Sequence, residues 1–294
     1  MTELKFAQRR DFSGVINAAF EFFKQEGLMF TKALFTYTGI PIIILIATII
    51  HTVFQAINGH FAGLDQSPDI STVLALVIPV IIIAFLGVVV QIMVMAISYG
   101  YIKVYHEKGK GNFSISEVGQ MIVRKFFPII GYTIVTSILI MAGFVMFILP
   151  GIYFAIILSL IFPIMFIEDN GLGRNFNRCF QVIKDNWWIT FAIILVASII
   201  AGIVSGIISV PLQIYIQFKI PIIAQSGDWS QLNVPFVLIS YVLLIVLSTY
   251  LRSFVYIVTG LQYFSLSKKD GSTTIMDRIN QIGKENTDTS NPTQ

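Results

Sequence analysis

The sequence predicts an all-α integral membrane protein of six transmembrane helices, accompanied by three amphipathic helices that lie in the membrane interface. Three observations predict it. Charged residues make up 12% of the chain, about half the ~25% of a soluble domain, and the mean hydropathy is +0.80. Five stretches, 33–57, 72–102, 126–167, 188–218 and 236–266, hold almost no Asp, Glu, Lys or Arg, and a bilayer core about 30 Å thick takes ~20 apolar residues per helical crossing. The polar segments before three of the crossings repeat their apolar residues at helical spacing, the mark of a helix that buries one side.

Taken in order, the first amphipathic helix is predicted over 11–26, with Phe12, Val15, Ile16, Ala19, Phe20 and Phe23 on one face. Span one follows over 33–57, a short acidic outer loop over 58–71, and span two over 72–102. The second amphipathic helix, 114–124, opens with Ser114 and Glu117 at capping-box spacing, where each side chain can satisfy the other's backbone donor. Ile115, Val118 and Ile122 form its apolar stripe.

The run over 126–167 contains 42 residues, about twice the bilayer thickness at ~1.5 Å per residue. Leu149-Pro150-Gly151 sits near its middle and matches a type II turn, so the run divides into spans over 126–148 and 151–167. The third amphipathic helix, 171–186, sets Leu172, Phe176, Cys179, Phe180 and Ile183 against Arg174, Asn177, Arg178, Gln181 and Asp185. Span five, 188–218, carries Pro211, where it is expected to kink or break. An outer loop over 220–235 and span six over 236–266 complete a single domain over 1–266. In the cytoplasmic tail, 267–294, Ile275, Ile279 and Ile282 suit a final surface helix, and the segment from 284 onward lacks apolar residues and reads as disordered.

Asn17, Phe20 and Lys24 match Asn177, Phe180 and Lys184 in spacing. An interfacial helix followed by a transmembrane hairpin is therefore predicted as a unit used three times, its middle copy degenerate.

Charge sets the expected orientation. Of the 19 Lys and Arg residues, 17 fall on the side of the two termini, and short cytoplasmic loops retain Lys and Arg, so both termini are expected in the cytoplasm of an inner membrane. Lys219 is on the other side and Arg252 lies within span six. The first apolar run begins at residue 33, behind a polar arm with both signs of charge, which is not the pattern of a cleavable signal peptide. The single cysteine, Cys179, has no partner for an intramolecular disulfide.

Chemistry has few candidates. The spans contain no Asp or Glu, Glu168 lying just past the fourth, and intramembrane proton or metal chemistry depends on carboxylates or histidines. His51 and His60 fall near the outer face and His106 near the inner one, and no metal-binding spacing occurs. No enzymatic activity, metal or cofactor is expected. Arg252 is the exception: an unpaired Arg at mid-membrane costs ~2.5–3.5 kcal/mol on insertion scales, so a partner is expected. Gln91, at a similar depth in span two, is the first candidate; backbone carbonyls freed near Pro150 or Pro211, or a bound anion, are others. Lys24, Arg174, Arg178 and Lys184 are expected to face lipid headgroups. Glu168 and Asp169 read as helix-end charges, and Trp187 and Trp188 as members of an interfacial aromatic belt.

Leu149-Pro150-Gly151-Ile152-Tyr153, then Pro163, Glu168, Gly171, Arg178, Lys184 and Trp187, resemble the membrane-domain family of bacterial glycerophosphoryl diester phosphodiesterases and related six-helix bacterial membrane proteins. In that family the phosphodiesterase is a separate soluble barrel, for which this chain has no room, so the resemblance implies fold and a bacterial cytoplasmic membrane, not hydrolysis. The first expectation is a non-enzymatic membrane protein that organises or assists other membrane components. The alternative is a transporter or lipid-handling protein that uses Arg252 on an anionic or amphipathic substrate. Expected partners are membrane lipids and other membrane proteins, not nucleic acid.

Overall fold

The computed structural model describes the backbone of residues 5–57, 70–226 and 231–288, and side chains to residue 268 except at 56, 57, 72, 76 and 224. Most of the predicted outer loop over 58–71, with His60, and the side chains of Ile275, Ile279 and Ile282 lie outside the described residues. The described chain is all helix and turn, and six helices are long and apolar enough to span a membrane. This is the architecture of a multi-pass membrane protein.

α1 (Phe12–Ile57) is one continuous helix of 46 residues, about 69 Å at ~1.5 Å per residue. The predicted break between the amphipathic segment and span one is absent. Val15, Ala19, Phe22, Glu26, Phe30 and Ala33 are all buried and follow one another every three or four residues, so the buried stripe stays in phase across the polar stretch. α2 (Ile70–Lys108) ends at Gly109, whose φ of 79° suits the left-handed helix cap that glycine adopts without strain. Its N–H bonds back to the Tyr105 carbonyl at 2.8 Å.

α3 (Ile115–Arg124) carries the predicted capping box at Ser114 and Glu117. Lys108 reaches across to Glu117 and lowers its pKa. α4 (Phe126–Met146) and α5 (Ile148–Leu158) form a hairpin, but the reversal occurs at the extended residue Phe147, not at Pro150-Gly151. Pro150 instead sits in the first turn of α5, where a missing N–H costs nothing. Gly151 permits close approach of the two helices: a Cβ at Gly143 would lie 3.0 Å from the Gly151 Cα. α6 (Ile161–Ile167) completes the fourth span after an interruption at Ser159 and Leu160, next to Pro163, which lacks the donor a continuous helix needs there.

α7 (Leu172–Ile183) is a separate short helix. Its buried side runs through Asn175, Cys179, Val182 and Ile183, while Leu172 is 38% exposed, so the helix is rotated from its predicted apolar face. Asp185, with φ of 62°, turns the chain into α8 (Trp187–Ser226). The matched segments at Asn17 and Asn177 thus fold differently: one lies inside a continuous helix, the other stops three residues before the next. α8 also runs unbroken through Pro211 and Pro221, so of the expected kink or break at Pro211 the break is not found, and its end takes up part of the predicted outer loop. α9 (Val234–Asp288), 55 residues long, stays helical beyond residue 284, where disorder was expected.

The start of α1, the end of α2, α3, α7 and the later half of α9 gather at one end of the bundle, together with the N-terminal arm. Arg10 N–H donates to Ser265 Oγ at 2.9 Å, and Ser265 Oγ donates back to the Arg10 carbonyl at 2.9 Å. Most of the Lys and Arg residues sit here, and it is called the basic end below. Phe6, Phe22, Phe30, Tyr101, Tyr105 and Phe113 pack edge-on in its core. The remainder of the bundle exposes Ile43, Phe54, Ile81, Phe85, Met141 and Ile207, among other large apolar side chains. So continuous an apolar surface suits lipid, not water.

Candidate functional site

Arg252 is the centre of the candidate site. On α9 it shares a face with Ser248, Val255 and Tyr256, residues four before and three and four after it. α8 turns Ser198, Ala201, Gly202 and Ser205 toward it, again at helical spacing. Because these side chains are small, the α2, α8 and α9 walls leave a cavity of about 360 Å³. A second cavity of about 490 Å³ lies between α1, α2, α4 and α9. Gln91, Ser248 and Arg252 line both. A Cβ built on Gly202, in the first wall, or on Gly87, in the second, meets no atom within 4 Å, so each cavity has room beside its glycine.

Sequence reasoning paired Arg252 with Gln91, and the structure brings the two to the same walls. The pairing itself is not made. The Gln91 side-chain amide donates to the Tyr256 hydroxyl, and Arg252 forms no hydrogen bond or ion pair among the described residues. Nor do the residues at Pro150 and Pro211 line either cavity. Arg252 is exposed, with hydroxyl and amide groups around it and apolar walls beyond. The hydroxyls of Ser248 and Thr249 donate to the Ile245 carbonyl at 3.0 and 2.8 Å, which keeps these polar atoms satisfied within the helix. Chemically, the arrangement is a single unpaired cation among neutral polar groups, beside cavities whose walls are largely apolar.

The basic end holds a second polar constellation that sequence reasoning passed over. Glu168 accepts from Arg178 Nε at 3.0 Å and from the Tyr263 hydroxyl at 2.8 Å, and Asn170 Nδ2 donates to it at 3.3 Å. Asn175, fully buried, donates to the Tyr132 hydroxyl at 2.7 Å and to the Asn170 carbonyl at 3.0 Å. The buried Lys125 ammonium donates to the Met165 carbonyl at 2.8 Å and to Asp169 at 2.7 Å, and holds the Asp169 carboxyl below the usual carboxylate range. Tyr101 donates to the buried Glu26 at 2.7 Å, and Lys110 lies 3.5 Å from the same carboxylate. The available signal was a lone polar residue in each buried stripe: Glu26 in α1 and Asn175 in α7.

Of the four residues expected at lipid headgroups, Lys24, Arg174 and Lys184 are exposed. Arg178 is half-buried and committed to Glu168, because its position on the rotated α7 faces the end of α6 and not solvent. Glu168 and Asp169 accordingly hold neighbouring helices together in addition to ending α6. Trp188 is 75% exposed, whereas Trp187 stacks against Tyr153 and Phe191. Burial pushes the Cys179 thiol up to about 12. Among the described residues no three His, Cys, Asp or Glu side chains gather as a metal site.

No family model matches the chain, and neither a curated protein nor a solved structure does.

Proposed function

We propose that this protein binds an anionic amphipathic molecule at Arg252, within the span region, and acts in handling or moving it rather than as an enzyme. One observation carries the reading: a guanidinium within the apolar run of α9, with no carboxylate partner among the described residues, borders two cavities. A cation left so in an apolar bundle is costly, and an anionic ligand offsets that cost. The site carries one positive charge, so a single negative charge is the matching valence, as in a phosphodiester or carboxylate. The hydroxyls of Ser198, Ser205 and Tyr256, whose protons are not donated elsewhere among the described residues, can donate neutral hydrogen bonds to the same headgroup. In this reading both termini face the cytoplasm and the membrane is the bacterial cytoplasmic membrane, supported by the crowding of Lys and Arg at one end and by the resemblance over residues 149–190.

The other reading, a protein that organises membrane partners, is favoured by the exposed Lys24, Arg174 and Lys184 at the basic end. Native mass spectrometry of the gently extracted protein separates the two. A small anionic molecule or lipid retained by the wild type and reduced at least tenfold in Arg252→Ala and in Gly202→Phe supports binding. Gly202→Phe leaves Arg252 in place and fills open space, so it tests the cavity apart from the charge. Equal retention in all three proteins, with a protein partner in each, replaces this reading with the organising one.

A further inference from the structure

A second cavity system, at the basic end, points to a different ligand site. A cavity of about 480 Å³ lies where the N-terminal arm and the start of α1 meet the start of α8 and the end of the apolar run of α9. Arg9 and Arg10 flank it, and Asn186, Gln262 and Ser265, which are 9, 2 and 4% exposed, also line it. Buried polar side chains lining a cavity of this size are a feature of ligand sites, because they place hydrogen-bonding groups where a headgroup can reach them.

The charge is unbalanced in a useful direction. The Arg10 guanidinium donates to the backbone carbonyls of Lys5, Phe6 and Gln8, which positions it without neutralising it, and two of its five N–H groups remain. Burial lowers the Arg10 pKa, and Glu21 opposes that shift from beyond ion-pair distance. Asp11 also borders the cavity, but its two oxygens accept from the Gly14 N–H at 2.9 Å and the Ser13 hydroxyl at 3.3 Å, capping α1. Arg9 is exposed and makes no hydrogen bond or ion pair among the described residues. The cavity therefore carries a net single positive charge with free guanidinium donors.

Its depth identifies the source of the anion. The apolar run of α8 begins at Trp187 and that of α9 ends at Leu266, just before Lys268, so the cavity lies at the level where both leave the apolar zone. Ile189 and Phe12, 50 and 39% exposed, give it an apolar rim. We propose that the cavity between Arg9, Arg10, Gln262 and Ser265 binds the phosphodiester headgroup of an anionic membrane lipid, whose acyl chains follow Ile189 into the bilayer. Bidentate guanidinium contact is the favoured recognition of such a group. The bound lipid ties the N-terminal arm to α8 and α9, reinforcing the contact that Arg10 already makes with Ser265.

This proposal does not rest on the site at Arg252, and the test keeps the two apart. Full-length wild type, Arg252→Leu, Arg9→Glu, Arg10→Lys and Arg252→Leu with Arg9→Glu are compared by native mass spectrometry after incubation with phosphatidylglycerol or phosphatidylcholine. Arg9 is exposed, so its substitution leaves the fold intact, and thermal melting checks that Arg10→Lys does too. The expected result is that Arg252→Leu still retains a tightly held phosphatidylglycerol. In that background Arg9→Glu lowers retention at least fivefold, Arg10→Lys alone weakens it about threefold, and phosphatidylcholine is not selected. Unchanged retention on adding Arg9→Glu overturns the proposal, as does equal binding of both lipids. Displacement of the lipid by millimolar inorganic phosphate overturns it in favour of a free-phosphate site.

Discussion

The basic end and the middle of the bundle solve opposite problems with the same kinds of residue. At the basic end, the charged groups taken out of water are matched within the chain, although the Asn175 Oδ1 is buried without a hydrogen-bond partner: Glu168 receives Arg178 and Tyr263, Lys125 receives a carbonyl and a carboxylate, and Glu26 receives Tyr101. Matched groups of this kind rigidify a core because each costs free energy if its partner is removed. In the middle, Arg252 borders two cavities without a carboxylate, and the glutamine at its level is spent on Tyr256. Conserving free energy within the fold would have used a methyl or a paired residue there. The difference separates a region whose charged groups are paired within the chain from one that leaves a charge beside open space.

The strongest way to break this contrast is at Arg252 itself. Arg252→Leu is expected to lower retention of the ligand held at Arg252 by tenfold or more, with any lipid at the basic end unaffected, while leaving the delipidated protein as stable as wild type or more so, since an unpaired arginine within a membrane span costs ~2.5–3.5 kcal/mol. A lower melting temperature in detergent would show that Arg252 is a structural tie. The converse holds for Glu168→Ala at the basic end, expected to cost about 2–3 kcal/mol by removing the carboxylate from Arg178 and the Tyr263 hydroxyl, reduced from the fully buried case because the pair is partly exposed. Ligand retention at Arg252 should survive in the folded fraction. If Glu168→Ala melts like wild type, the network is not what holds this end together.

Packing effects come next. Gly143→Leu must push apart α4 and α5, whose backbones approach within contact distance at Gly151, and overpacking of this kind costs about 1–3 kcal/mol; urea or thermal denaturation in detergent measures it. A smaller effect concerns acid. The Asp169 pKa is depressed by its Lys125 partner, so this pair stabilises the fold above the unfolded carboxylate value of ~3.9, and that contribution is lost as the pH falls through the lower folded value. In Lys125→Met, protonation of Asp169 followed by infrared or NMR titration should move upward to the ordinary carboxylate range. The smallest expected signal is at Cys179, whose buried thiol is pushed up to about 12: maleimide should leave the native protein unlabelled at pH 7 and label it once denaturant opens α7.

Much of the architecture was legible because the bilayer imposes it on composition. Apolar runs of ~20 residues or more announce crossings whatever their packing, and among the described residues six helices are long and apolar enough to span a membrane. Local capping signals were equally readable, as Ser114 and Glu117 show, since they need no distant partner. Boundaries set by helix continuity were not. The segment around Glu26 looked like a junction because it is polar, yet Glu26 is buried beneath Tyr101, a contact 75 residues away along the chain. Pro150-Gly151 looked like a turn from its dipeptide alone, whereas the close packing of Gly143 on Gly151 drew the turn back to Phe147.

The candidate site divides in the same way. An arginine at the centre of an apolar span is visible in one dimension, and so is the glutamine at its depth. That Gln91 turns to Tyr256, that small residues of α8 open a cavity beside Arg252, and that Arg178 turns inward to Glu168 are decided by how helices rotate against one another. Hydrophobic pattern determines which segments leave water, because that transfer is a property of each segment's own surface. Which polar groups meet, and which are left facing empty space, follows from the rotation and depth of separate helices, and these arise only when all of them pack.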